Sequence, residues 1–137
     1  MRVVVTAQGT ELDSLTSPVF GRCPAFVLVD TETLQYEGWA NPSAAAGGGA
    51  GIQAAQFVLD KGAQAVLSHN VGPNAFAVLQ AAGVEVYQID GGTVRQAVEA
   101  FAAAKLPRLD DPNASAHRGI GVMGAGQRDP GSGPRPM

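Results

Sequence analysis

Ala65-Val-Leu-Ser-His-Asn-Val-Gly-Pro-Asn-Ala-Phe76 passes from a short apolar run, through a polar turn, into a helix start. Residues 65–68 are apolar but too few for a buried helix, so they read as a buried strand. Gly72 and Pro73 punctuate the chain, and Pro73 suits the first helical position, where its missing N–H costs nothing. Val78, Leu79 and Ala82 continue from Ala75 at helical spacing. A strand that turns straight into a helix leaves backbone N–H groups and the positive helix end at the C-terminal edge of a sheet. Open α/β sheets bind ligands at that edge. His69 lies inside this turn.

On either side of this unit the pattern predicts further strands and helices. Residues 2–7 form a first strand rich in β-branched Val, and residues 8–24 a long connection, of the kind that is often functional. Residues 25–30 are a nearly all-apolar second strand. Residues 34–39 alternate as a third, and the three residues between them require antiparallel pairing. A glycine-rich connection over 41–51 leads into a helix from about residue 52 to residue 61, stopped by Gly62. After the central strand and helix, which end at Gly83, residues 84–89 form a fifth strand. In the last helix Val94, Ala97, Val98, Phe101 and Ala102 make an apolar stripe. The order β-β-β-α-β-α-β-α predicts a mixed five-stranded α/β sheet with helices on both faces, the ribonuclease H-like arrangement. The domain spans 1–106, and a flexible Gly/Pro-rich tail, expected to be disordered from Asp110 onward, spans 107–137. If strands one, three, four and five run the same way, the loops at 8–24, 41–51, 69–73 and 90–92 converge on one edge. Cys23, His69 and the glycines then line a single cleft.

Composition narrows the function. The 137 residues suit one domain, and the net charge of −3, with no basic stripe, argues against nucleic acid as a partner. The single cysteine excludes an intrachain disulfide framework and fits a reducing compartment. No secretory signal is expected at the start, and no run nears the roughly 18 apolar residues that span a bilayer. The expectation is a cytoplasmic protein without a membrane partner.

The candidate chemistry sits in the loops. A two-metal nuclease needs clustered acids on central strands, yet the first strand has none, and Asp30 at a strand end serves equally as a turn former. Gly49-Ala-Gly-Ile-Gln-Ala54 matches G-x-G-x-x-A, but the later strand ends in Ser68-His69 without an acid. These glycines, with Gly48, are either a loop whose amides accept an anion or a structural linker. Cys23 is a thiolate ligand, a reactive thiol or a small buried hydrophobe, and the neighbouring Arg22 favours a lowered thiol pKa. His69 is a metal ligand or a residue that hydrogen-bonds its own turn. Arg22 neutralises an anionic ligand or is a solvated loop charge. Thiolate and imidazole suit iron, copper or a cluster better than nucleophilic catalysis, which lacks a third partner. His117, Met123 and Met137 in the tail are soft-metal ligands or incidental, and Tyr36 and Trp39 pack on the sheet or wall the cleft.

Ser17-Pro-Val-Phe-Gly-Arg-Cys-Pro-Ala-Phe-Val-Leu-Val-Asp30 resembles the S-x-x-F-G-R-x-x-x-F-x-x-V-D segment of one family. Residues 49–56, the turn at 70–76, residues 83–87 and Gly92-Thr-Val94 follow in that family's order. The chain thus resembles, over residues 1 to about 104, the dinitrogenase iron–molybdenum cofactor-binding family, which includes NifX- and NafY-like proteins and the orange protein. The resemblance implies a ribonuclease H-like fold and a non-catalytic role. Such a protein holds or delivers an anionic metal–sulfur cluster of Mo/Fe or Mo/Cu. The expected seat is Arg22, Cys23, Gly48, Gly49, Gly51, His69, Asn70, Gly72 and Asn74, with Cys23 and His69 as metal ligands. The alternative is a metal-free module that regulates an ATPase or an assembly partner, and a third reading is a Cys23-dependent enzyme.

Overall fold

A computed structural model describes residues 1–44 and 49–113. The strands are β1 (Arg2–Ala7), β2 (Ala25–Asp30), β3 (Tyr36–Ala40), β4 (Ala65–Ser68), β5 (Glu85–Gln88) and β6 (Arg108–Leu109). The helices are α1 (Ala50–Asp60), α2 (Pro73–Ala81) and α3 (Val94–Ala102), and Phe20–Arg22 makes one 3-10 turn. The sheet order is β3-β2-β1-β4-β5-β6. β1 pairs parallel with β4, and β4 with β5, whereas β2 runs antiparallel to both β1 and β3. β1, β3, β4 and β5 therefore share one direction, and their C-terminal ends share one edge.

Burial explains the strand sequences. Every residue of β4 is buried, as is β1 after Arg2, so both are central strands with apolar side chains on both faces. On one face Val4, Phe26, Leu28 and Val66 meet α1 and α2 through Ala54, Val58, Phe76 and Leu79. On the other, Val3, Val5, Val27 and Leu67 meet α3 through Val94, Ala97 and Val98. Helices cover both faces, as expected.

Three local details differ from expectation. The sheet has a sixth strand: Arg108–Leu109 pairs antiparallel with Val86 and Tyr87 of β5. Two residues carry no periodicity, and Arg108 is fixed instead by ion pairs to Glu85 (3.2 Å) and Asp110 (3.0 Å). Residues 108–113, assigned to the tail from sequence, thus lie against the sheet, while residues 114–137, with His117, Met123 and Met137, fall outside the described residues. β3 begins at Tyr36, because Leu34 adopts a left-handed φ of 61° in the preceding turn. α1 begins at Ala50 and not near 52, since Gly49, with φ of 71°, takes the N-cap position. Asp30 is a turn former: its Oδ1 accepts the N–H groups of Glu32 (2.8 Å) and Thr33 (3.3 Å), and these bonds hold its carboxyl below the usual carboxylate range.

Candidate functional site

Three loops at the C-terminal edge build a groove of about 390 Å³ between the 3-10 turn, the start of α1 and the start of α2. Close backbone approach makes it possible. A Cβ on Gly21 would lie 3.1 Å from the Gly51 nitrogen, and a Cβ on Gly51 would lie 3.4 Å from the Ala75 Cβ. Only small residues let these three segments meet.

The groove's electrostatics follow from its backbone. Neither α1 nor α2 has a side-chain cap, and neither carries an acidic residue in its first turn. Two helix ends, each equivalent to about half a positive charge, therefore point toward the same opening. Arg22 lines it beside Gly49, Gly51, Gly72 and Asn74. The exposed Arg22 guanidinium also reaches the Ala44 carbonyl at 3.4 Å. Among the described residues lining the groove, Arg22 is the charged one.

Asn41, which sequence reading passed over, holds the turn in place. Its buried side chain donates to the carbonyls on either side of Arg22, Gly21 at 3.2 Å and Cys23 at 2.9 Å. Its Oδ1 accepts the N–H and hydroxyl of Ser43. Asn-Pro-Ser at 41–43 is a turn signal of the Asx type, and that is the signal from which this role could have been read.

The expected residues do not all meet. Arg22, Gly49, Gly51, Gly72 and Asn74 share the groove. Asn70 stands behind it: its N–H donates to Pro18 O (2.7 Å), and its carbonyl accepts the Phe20 N–H (3.0 Å). His69 is not among the groove's lining residues; it borders a separate depression with Ser17, Pro18 and Asp90. Its Nδ1 lies 2.8 Å from the Ile89 carbonyl, which can only accept, so Nδ1 carries the proton. Gly48 lies outside the described residues.

Cys23 is placed in the core and not in the cleft wall. It is 1% exposed, packs with Phe20 and Phe26, and donates its S–H to Phe20 O at 3.2 Å. Burial pushes the thiol up to about 12, outweighing hydrogen bonds that favour the thiolate. Arg22, one residue away, faces solvent and does not reverse this. The raised value favours the neutral thiol in the folded chain. The resulting stability is complete below about pH 9, the ordinary thiol value, and is lost as pH rises toward 12. Denaturant unfolding is expected to show the parent losing up to about 1.4 kcal/mol per pH unit more than Cys23→Ala in that window. Parallel curves would contradict the burial of this thiol.

No group of three or more His, Cys, Asp or Glu residues fit to hold a metal ion occurs among the described residues. Nor is any described helix long and apolar enough to cross a membrane.

Fold and groove together define a small mixed α/β protein that offers two helix N-termini and an arginine at one sheet edge. The chain belongs to the dinitrogenase iron-molybdenum cofactor family, whose model matches residues 1–104. It is similar to the orange protein of Desulfovibrio gigas, solved in its apo form, at 45% identity and a TM-score of 0.79, covering 82% of this chain and 96% of that one. A Thermotoga protein of the DUF35 family, solved by NMR, is 38% identical with a TM-score of 0.73, covering 82% of this chain and 97% of that one. An uncharacterised protein of Methanocaldococcus jannaschii is 27% identical over 97 residues, 69% of this chain and 82% of its own length.

Proposed function

We propose that this chain is a non-catalytic carrier that binds an anionic metal–sulfur cluster, of Mo/Fe or Mo/Cu composition, in the groove between the 3-10 turn, α1 and α2. The cluster is cargo. The observation that carries this reading is the convergence of two uncapped helix N-termini and Arg22 on one opening. N–H groups and a guanidinium are donors to bridging or terminal sulfides, and they offset the desolvation of a polyanion. That donor set suits a preassembled cluster held by its outer sulfides, with the buried Cys23 acting as core. His69 Nε2 remains a candidate ligand at the cluster's margin or for a second metal. Family membership and the likeness to the orange protein support the same cargo class on a ribonuclease H-like framework.

The test is anaerobic reconstitution of the full chain with tetrathiomolybdate and Cu(I). Visible absorption co-eluting with the protein, with stoichiometric molybdenum by elemental analysis, is the expected result. Folded protein that elutes colourless and metal-free overturns the proposal.

A further inference from the structure

The loop between β4 and α2 sets where the N-terminus of α2 points, and two distant segments hold it. On one side residues 18–20 bond both backbone groups of Asn70. On the other, Asn113 does the equivalent for its neighbours. Asn113 Oδ1 accepts the Val71 N–H at 2.8 Å, Asn113 N–H donates to Val71 O at 3.1 Å, and Asn113 Nδ2 donates to His69 O at 2.8 Å. The carboxamide thus offers an acceptor and a donor side by side, as a paired strand would. Gly72, the next residue but one after Asn70, has extended φ and ψ and no side-chain cap, so Pro73 sets where the helix starts but no side chain ties that start to the loop before it. The segment that carries Asn113 is itself anchored. Gln88 N–H donates to Pro107 O at 2.8 Å, and β6 pairs with β5.

We propose that Asn113 is a positioning residue that clamps the β4–α2 loop and thereby couples the C-terminal segment to the groove. The coupling rests on the groove reading above; the clamp does not. With the clamp closed, the Asn74 and Ala75 N–H groups at the start of α2 stay aimed into the groove. With it open, the binding-competent loop is one member of a wider ensemble, and apparent affinity falls by the fraction lost. His69 O keeps a second donor, Gln88 Nε2 at 3.3 Å, so the Val71 N–H is the group most sensitive to losing Asn113.

The experiment compares the full-length parent, Asn113→Ala and Asn113→Asp by amide hydrogen exchange without ligand, then by anaerobic titration with tetrathiomolybdate and Cu(I). In Asn113→Ala the Val71 amide is expected to exchange about 10-fold faster, with the β1 and β4 amides unchanged. Its binding is expected to weaken about 5- to 10-fold. Asn113→Asp keeps the acceptor for Val71 but sets an oxygen against the His69 carbonyl, so its Val71 protection is expected to fall between the parent and Asn113→Ala. Unchanged Val71 protection in Asn113→Ala, or equal loosening in Asn113→Asp, overturns the clamp. A loosened loop with unchanged affinity overturns the coupling. A parent that binds no probe overturns the groove reading and the coupling with it, and the exchange data then decide the clamp alone.

Discussion

Arg22→Glu is expected to lower affinity for the thiomolybdate–copper probe by about 100-fold in protein that remains folded. A hydrogen bond to a charged partner contributes about 1.5–3 kcal/mol, and each 1.4 kcal/mol is tenfold in affinity. Reversing the charge adds repulsion to the loss, which places the effect at the upper end of that range. The side chain is exposed and reaches Ala44 O at 3.4 Å, so a melting curve of the variant separates lost affinity from lost fold. The parent's affinity should also fall with ionic strength, and that of the variant much less, because screening acts on the charge that has been removed. Equal affinities at low salt would remove Arg22 from the site.

Gly38→Ala is expected to give the largest loss of stability of any single methyl addition in the described chain. Gly38 lies in β3 opposite Val27, and a Cβ there would run into the backbone of Thr10, its Cα and carbonyl oxygen included. Backbone cannot rotate away as a side chain can. Either β3 shifts in register or the connection at 8–24 lifts off the sheet around Thr10. Overpacking of this kind costs about 3 kcal/mol, which lowers the melting temperature of a domain this size by roughly 10–20 °C. A variant melting within a few degrees of the parent would show that the connection does not sit on β3. The same connection carries Ser17, whose carbonyl accepts the buried Thr6 hydroxyl at 2.6 Å, so its detachment should also loosen the groove's first wall.

The direction of the strands was legible because strand-turn lengths and apolar runs constrain it. The short turn between β2 and β3, three residues by the sequence pattern and five (31–35) in the structure, allows only an antiparallel hairpin, and Pro73 at the first position of α2 marks a helix start. From this the shared edge follows, and five of the nine expected site residues line one groove there. Which side of the edge each residue occupies was not legible. A sheet edge has two faces, and His69 hydrogen-bonds to Ile89, on the α3 side, while Arg22 stands on the α1–α2 side. Cys23 misled through its polar neighbours. The 3-10 turn places residues three apart on one side, so Phe20 and Cys23 enter the core together while Arg22 points outward. Phe-Gly-Arg-Cys carries that spacing in plain view, and it outweighs the flanking Arg and Pro. Asn113 left no signal at all, because its bonds join residues 42 and 44 positions away.

In the proposed complex the cluster sits against the paired helix starts. Following the amide shifts of labelled protein during anaerobic titration with tetrathiomolybdate and Cu(I) tests this most directly. The largest changes are predicted at Gly51, Asn74 and Ala75, with Arg22 Nε moving in step. Changes confined to His69, Asp90 and their neighbours, with the groove amides still, would contradict it.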